Sequence, residues 1–544
     1  MRPAQTIVEQ ILSGRGLDDP AVREEYLSPH PKATYDPFLM LGMEEGVDLI
    51  RSHAEKGNRI CVYGDYDADG VTSICILYSV LSLLTDNLDW YIPSRFTEGY
   101  GLNEGAVEAL KEKGTDLLIT VDCGITSLKE VERARQLGMD VLVTDHHQPG
   151  PELPDCVVID PKQEGETYPF PHLAGCGVAF KILQALQRKC GLPRDVISQA
   201  LDLVGAGTVG DIVPLVDENR TIVKYGLEKL NQGNRASVRA LAEAISLEKI
   251  TSDSIAFGIV PHINAAGRMG SAGDAVNLLM ADEEEEIRRQ VDRLVQYNRE
   301  RKKAQEEAVD RCEAMVRGGE DILFLRVDGI HEGIAGIAAG KLKEEIRRPV
   351  ILATPSGDGL LKGTGRSIPG VDIRALLDVS REHFLKFGGH AGACGFTMRE
   401  EEFEPVKTAA EADMARLLTE HPEIIEAGSE AEITLEPAEI TVDLAQALCA
   451  MEPFGEGNPA PRIALKNVQI AQVRFMGAQQ THVRFMAVRG GAAAPCVFFR
   501  RAQDYADLLN SGGPADLVGT VSGQVWNGRT RVQFMVEDIQ RASK

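Results

Sequence analysis

A chain of 544 residues, 43% hydrophobic and 26% charged, is long enough for about three or four domains and has an ordinary globular composition. No apolar run approaches the roughly 20 residues of a membrane span, and the N-terminus MRPAQTIVEQILSGRG lacks the apolar core of an export signal. Ten scattered cysteines without a CxxC pair argue against a disulfide frame or a cysteine-built zinc site and for reduced thiols in the cytoplasm. The net charge of −24 does not exclude a nucleic-acid partner. A strand responds to the local groove, and carboxylates that gather divalent cations are neutralised in the loaded protein.

Residues 1–44 carry Pro20, Pro29, Pro31 and Pro37 and read as a short helix followed by an irregular N-terminal arm. From 45 to 225 apolar strand runs alternate with helical patterns, at Val71–Leu84, Glu104–Lys113 and Leu128–Leu137, which predicts a doubly wound parallel sheet in an α/β domain. Residues 226–317 read as a helical connector. Within it, Asp274 to Arg317 has neither Gly nor Pro, and the stripe Leu278, Ile287, Val291, Leu294, Val295 predicts one long helix joining two lobes, with acids Asp282–Glu286 near a helix start and a basic later half. The charges of that half read first as a solvated face and second as a wall of a nucleic-acid channel. A smaller α/β unit is expected over 318–424. Residues 425–544 turn to short alternating runs, with Asn527-Gly528 as a hairpin signal. Five or so strands and one helix near Gln503–Leu509 suit an OB-type β-barrel.

The chemistry lies at strand ends. Ile60–Tyr63 runs into Gly64-Asp65-Tyr66-Asp67-Ala68-Asp69-Gly70, Leu117–Val121 into Asp122-Cys123-Gly124, and Val141–Thr144 into Asp145-His146-His147. Parallel sheets form sites beyond the carboxyl ends of their strands. Taken singly, each aspartate reads as a cap or turn residue; gathered with two imidazoles they read as a centre for Mg2+ or Mn2+, the imidazole favouring Mn2+. An EF-hand is excluded, because its twelfth loop position would be Ile76 rather than glutamate. Two ions about 3.5–4 Å apart suit phosphoester hydrolysis. Asp65, Asp67, Asp69, Asp122 and His146, with Asp211 at the end of another apolar stretch, would fill their ligand positions, leaving His147 for the phosphate or leaving oxygen.

The segments VYGDYDADGVTS, VDCG, VTDHH and GTVGDIVPL occur in that order and resemble the four motifs of the DHH phosphoesterases; GIHEGIAGIAAGKL, KGTGRSIPG and FGGHAGACGF resemble the DHH-associated domain. PHINAAGRMG and MEPFGEGNPAPRI are similar to segments of the family's single-strand-specific exonucleases. This resemblance runs from about residue 45 onward. It implies that the six residues named above hold two Mn2+ or Mg2+ ions, that Asp145 supports the site and that His147 contacts the scissile phosphate. It further implies hydrolysis of single-stranded DNA 5′→3′ to mononucleotides in DNA repair and recombination, with a helicase and a single-strand-binding protein as candidate partners.

Beyond the metal residues, Gly388-Gly389-His390 and Gly363–Ser367 are glycine-rich segments that can offer backbone amides to a phosphate, although such a segment taken alone is more often a tight turn. With the resemblance they become a clamp in which Arg366, Ser367 and His390 grip the terminal nucleotide, with Arg268 and His331 as further phosphate or site-supporting contacts and Arg95 as a weaker one. The barrel interleaves phenylalanines with arginines; most of the rings are expected in its core, with Trp526 as the exposed stacking platform. Two other functions are compatible with parts of the chain: a DHH phosphodiesterase of short oligonucleotides or cyclic dinucleotides, which has little use for a barrel, and a non-catalytic DNA-binding scaffold, which would have lost acidic positions that are all present.

Overall fold

The computed structural model describes residues 2–542 apart from 96, 100, 427–429, 478–479, 501 and 527–528; for residues 426, 524–526, 529 and 530 only the backbone is described. No helix among them is long and apolar enough to cross a membrane. The chain divides into two compact units, one of Tyr35–Asp211 with Gly226–Ala427 and the other of Met1–Thr34, Ile212–Tyr225 and Gly428–Lys544.

The larger unit holds two sheets. The first comprises β1 (Ile60–Gly64), β2 (Leu88–Tyr91), β3 (Leu117–Val121), β4 (Asp140–Thr144) and β5 (Val157–Ile159). All pairings are parallel, in the order β2-β1-β3-β4-β5. β1 and β3 are buried at every residue, as expected of strands covered by helices on both faces. The order reverses between β1 and β3, and that switch point opens the crevice in which such sheets bind ligands. The helix Ala68–Leu81 leaves the switch point almost wholly buried.

The second sheet comprises β6 (Leu323–Arg326), β7 (Val350–Pro355), β8 (Leu360–Arg366), β9 (Phe384–His390) and β10 (Ala393–Arg399), ordered β6-β7-β8-β10-β9. Phe324, Ile351, Phe396 and Met398 face one apolar core beneath the helix Phe403–Glu420. Leu323, Val350 and Leu352 face another with the helix Glu332–Ile346. The glycine-rich segments expected as turns are strands here. A Cβ on Gly363 would lie 2.0 Å from the Phe396 ring, so that glycine makes room for an aromatic on the neighbouring strand.

The connector differs from the single long helix expected over Asp274–Arg317. It contains the helices Gly273–Met280 and Glu284–Glu313, separated by extended backbone at Ala281 and Glu283. The acidic run forms the first turn of the second helix, where the helix dipole favours it. Arg289, Arg293 and Lys303 in the basic half pair with Glu286, Asp274 and Glu307, which fits a solvated face.

The smaller unit is an OB-type barrel. β11 (Ile433–Leu435) flanks β12 (Ile463–Met476), β13 (His482–Arg489), β14 (Ala492–Phe498), β15 (Pro514–Trp526) and β16 (Arg529–Arg541). The last five close in the order β12-β13-β14-β16-β15 with β15 returning to β12, and the helix Ala506–Ser511 lies between β14 and β15. The N-terminal segment is not one arm to residue 44. Its helix Ala4–Gly14 buries Ile7, Val8, Ile11 and Leu12 in the barrel core, a second helix spans Pro20–Leu27, and the division falls after Thr34. Residues 212–225, expected within the catalytic domain, also belong to this unit.

Arg220 staples the unit together. Its guanidinium is 4% exposed, stacks on Tyr26 at 4.0 Å, and donates to the carbonyls of Tyr26, Met451 and Glu452 at 3.0–3.1 Å. Arg220→Met removes these charge-assisted bonds and strands buried acceptors, so it is expected to lower stability by about 3 kcal/mol in thermal or urea unfolding. A loss below about 1 kcal/mol would show that the carbonyls find other donors.

Candidate metal centre

Each carboxylate is aimed by local structure. After β1 the chain turns at once into the helix Ala68–Leu81. Asp67 is its N-cap, its Oδ1 accepting from Asp69 N (3.0 Å) and Gly70 N (3.1 Å), the standard way to satisfy the second and third orphan amides. Gly70 is obligatory, because a Cβ there would sit 2.4 Å from the Asp65 carbonyl oxygen. Asp69 points back to a second helix, Gly175–Cys190, whose first amides donate to both of its oxygens, Gly175 N to Oδ2 at 2.6 Å and Cys176 N to Oδ1 at 2.8 Å. A carboxylate on a helix N-terminus is held by dipole and hydrogen bonds together. Asp122 follows β3 with φ +57°, a left-handed conformation that aspartate tolerates better than most side chains.

Asp145, after β4, is the organiser of the triplet. Its Oδ1 accepts from His146 N (2.7 Å), His147 N (3.2 Å) and His147 Nδ1 (2.7 Å), and its Oδ2 from Ile125 N (3.0 Å). Burial opposes its charge, yet these donors hold its carboxyl below the ordinary range. Burial works against the His147 cation too, but Asp145 outweighs it and raises the ring to about 9. His146, buried and next to His147, is pushed down to about 3 and stays neutral.

The six expected ligands come together in two separate groups, Asp69, His146 and Asp211 in one and Asp65, Asp67 and Asp122 in the other, and a third group of Asp122, Asp145, His146 and His147 bridges them through Asp122 and His146. His146 Nε2 lies 3.1 Å from Asp122 Oδ1, 3.6 Å from Asp211 Oδ2 and 3.8 Å from Asp69 Oδ2. Asp211 reaches the cluster from the C-terminal end of the helix Asp195–Gly210, whereas the others lie just beyond the ends of β1, β3 and β4.

Burial and then mutual repulsion disfavour ionisation of four of the carboxylates. Asp65 and Asp122 are raised well above the carboxylate range, Asp211 to about 9 and Asp69 to about 6. Asp65 Oδ1 and His146 Nε2 are buried with no hydrogen-bond partner. Buried polar atoms are rarely left so. Oxygen ligands with one neutral imidazole, unsatisfied and repelling, fit a hard or borderline divalent cation.

The second sheet supplies a polar cavity of about 500 Å3, bordered by Tyr66 and Arg95 from the first sheet and by Thr364, Lys362, Lys386 and Gly388 from β8 and β9. The Arg95 guanidinium lies 4.1 Å above the Tyr66 ring. The cavity includes Gly388 and Arg95 of the expected clamp, but not Arg366, Ser367 or His390. Arg366 is tied by its Nη1 to Thr364 Oγ1 (2.9 Å) and Gly365 O (2.7 Å). Ser367 is buried and donates to Val371 O at 2.7 Å, so its hydroxyl proton is spent inside its own loop. His390 is exposed at the end of β9. Gly389, at φ +140°, has no room for a Cβ beside the Ala393 carbonyl. His331 caps the helix Glu332–Ile346 through Nδ1, and Arg268 donates to Gly333 O at 2.7 Å in the same first turn. The Trp526 side chain lies outside the described residues.

Tyr66, Lys362, Thr364 and Lys386 were not singled out in the sequence. The alternation Lys362-x-Thr364-x-Arg366 and Lys386-x-Gly388-x-His390 was the available signal. Asp160, directly after β5, was also missed. It is fully buried with Oδ2 unpaired, and burial pushes it up to about 7.

Family models match three stretches of the chain: the DHH family N-terminal domain at residues 59–208, the DHHA1 domain at 319–416 and the RecJ OB domain at 431–538. The single-stranded-DNA-specific exonuclease RecJ of Bacillus subtilis is 36% identical over 98% of this chain and 67% of its own length; that of Escherichia coli is 35% identical over 83% and 82%. The chain belongs to the RecJ family. Among solved structures, RecJ of Thermus thermophilus in complex with Mn2+ superposes with a TM-score of 0.82 at 29% identity over 98% of this chain and 76% of that one, and its Mg2+ complex with 0.77 at 28% over 98% and 74%. The acidic and imidazole groups of this RecJ-family chain therefore occur in a fold whose solved relatives hold divalent metal.

The Gly175 helix start is pressed against the site: a Cβ there would lie 2.6 Å from Asp122 Cβ. Gly175→Ala is expected to displace Asp122 and the amides on Asp69, weakening Mn2+ binding about 10- to 100-fold in calorimetric titration. Unchanged affinity would mean that Asp122 does not depend on this contact.

Proposed function

We propose that this chain is a metal-dependent exonuclease of single-stranded DNA that removes mononucleotides from the 5′ end. The observation that carries the reading is the pair of adjacent ligand groups at the switch point, bridged by a third that contains Asp122 and His146, in a chain whose family membership extends across the DHH, DHHA1 and OB regions.

In this reading Asp65, Asp67 and Asp122 hold one cation and Asp69, His146 and Asp211 a second. Two divalent ions supply Lewis-acid polarisation of the scissile phosphoryl group and acidify the attacking water. The chain's own residues do the rest. The neutral state of His146 keeps its Nε2 lone pair available to a metal. With Nδ1 engaged by Asp145, Nε2 of the His147 cation meets the phosphate and can deliver its proton to the leaving oxygen. Arg268, whose guanidinium burial pushes down to about 10 but leaves charged, adds a cation beside the phosphate path. Arg95, Thr364, Lys362, Lys386 and Gly388 line the space for the terminal nucleotide, with the Tyr66 ring at its edge.

The barrel would hold the downstream strand. Arg474, Arg484 and Arg531 are exposed along one groove of about 850 Å3. Arg474 stands directly opposite Arg484 across β12 and β13, a like-charge pairing that costs stability unless an anion lies over it. Phe499, 48% exposed, is an additional candidate platform for a base.

The test is digestion of 5′- and 3′-labelled single strands in Mn2+, against duplex, a dinucleotide and pyrophosphate. The expected result is immediate release of a labelled mononucleotide from the 5′-labelled strand, progressive shortening of the 3′-labelled one, and little attack on duplex. EDTA should abolish turnover and excess Mn2+ restore it. Asp122→Ala should reduce kcat at least about a hundredfold while strand binding persists. Faster cleavage of the dinucleotide than of the long strand would instead identify a short-oligonucleotide phosphodiesterase.

A further inference from the structure

The helix Val260–Met269 lies in the connector, beyond the residues matched by the DHH family model, yet it touches the metal loop directly. The Asn264 side-chain oxygen accepts a hydrogen bond from Ala68 N at 2.7 Å, across 196 positions of sequence. The facing atom must be the carboxamide oxygen, since a backbone amide only donates.

The contact completes a cap. The first amides of a helix have no intrahelical partner. At the start of Ala68–Leu81, Asp67 accepts from Asp69 N and Gly70 N, the second and third amides, and leaves the first, that of Ala68, to Asn264. The Ala68 amide belongs to the peptide that joins Asp67 to Ala68, so an acceptor there fixes the plane from which the Asp67 carboxylate departs and one residue before Asp69. A metal-loop carboxylate oxygen that accepted this N–H in place of Asn264 would have less to offer a cation.

The helix that presents Asn264 is braced on several sides. A Cβ on Gly267 would lie 2.9 Å from the Tyr66 carbonyl oxygen, and one on Gly210, beside Asp211, 3.0 Å from Val260 Cγ2 and 3.3 Å from Ala68 Cβ. Behind it, His262 joins Gly258 O (2.6 Å) and Asn298 Nδ2 (2.9 Å) of the helix Glu284–Glu313. At its end Arg268 bonds Gly333 O. A π-helical turn, Ile255–Ile259, immediately precedes it, an irregularity that tends to occur at functional sites.

We propose that Asn264 is a positioning residue of the metal centre, holding the Asp67–Ala68 peptide so that Asp65, Asp67 and Asp69 present their oxygens to cations. The inference rests on the metal-centre reading above. Its test compares Asn264→Ala, Asn264→Asp and Asn264→Gln with the parent chain by hydrogen exchange of the metal-free protein, Mn2+ calorimetry and steady-state kinetics on single-stranded DNA. Asn264→Ala should speed exchange of the Ala68 amide at least tenfold without metal, weaken Mn2+ binding about 10- to 100-fold, and lower kcat with KM changed less than twofold. Asn264→Asp retains the acceptor and should restore both exchange protection and Mn2+ affinity; Asn264→Gln displaces it by one methylene and should not.

Parent-like Mn2+ affinity in Asn264→Ala, or Asn264→Asp as impaired as Asn264→Ala, would overturn the proposal. So would a fall in thermal midpoint with metal affinity intact, which is the signature of a merely structural residue. If Asn264→Ala cannot be purified, equal Mn2+ affinity in Asn264→Asp and Asn264→Gln overturns it as well. A parent chain that binds Mn2+ but leaves DNA intact would sink the proposed function alone. Mn2+ binding unaffected by Asp122→Ala would sink the metal-centre reading itself.

Discussion

Five carboxylates converge on one crevice, where burial and their own repulsion push several of them toward the neutral acid. Much of the surrounding structure is a response to that constraint. Fixed backbone amides hold the side chains that would otherwise splay apart: two from the Gly175 helix on Asp69, two from the Ala68 helix on Asp67, and three on Asp145, of His146 and His147 in its own segment and of Ile125 after β3. None of these donors can leave when a cation arrives or departs. The cluster is thus pre-organised for positive charge without a Lys or Arg inside it to compete for the same oxygens.

The fold makes such a cluster possible because parallel strands end together. β1, β3 and β4 deliver Asp65, Asp122 and Asp145 to one edge, and the reversal of strand order between β1 and β3 keeps that edge open. The sheet alone would not finish the site. Asp211 comes from a helix end, the amides on Asp69 from another helix start, and the acceptor for Ala68 from a connector helix outside the DHH region. The centre depends on tertiary docking of elements distant in sequence, and its affinity for metal should report on that docking.

This division explains what the sequence could and could not reveal. The strand ends were legible because an apolar run followed abruptly by Asp or His is local in the chain, and the ordered motifs added specificity. Taken alone, the glycines of Gly363–Ser367 and Gly388–His390 read as turns, because composition cannot distinguish a glycine that bends the chain from one that, like Gly363, yields space to Phe396 on the next strand. The connector was read as one helix because nothing between Asp274 and Arg317 breaks a helix by propensity; the break follows from the dipole, which lets the acidic run start a second helix. Gly175 carried no local signal, Asp160 carried the strand-end signal of an apolar run before an aspartate but was passed over, and Asn264 lay in a recognised segment that did not reveal its contact. Their roles arise only from what the folded chain brings against them.

A net charge of −24 beside a polyanionic substrate is the remaining tension, and the distribution of charge relaxes it. Five of the acidic side chains, Asp65, Asp67, Asp69, Asp122 and Asp211, gather in the candidate metal centre, where bound divalent cations would offset much of their charge. Positive side chains are concentrated in two places: Arg95, Lys362 and Lys386 border one cavity, which also holds Glu332 paired with Lys362, and Arg474, Arg484 and Arg531 line one groove. Screening at physiological ionic strength acts over about 8 Å, so a phosphate in either place responds mainly to these cations and much less to the acidic surface elsewhere. The acidic remainder still disfavours unspecific adhesion of nucleic acid.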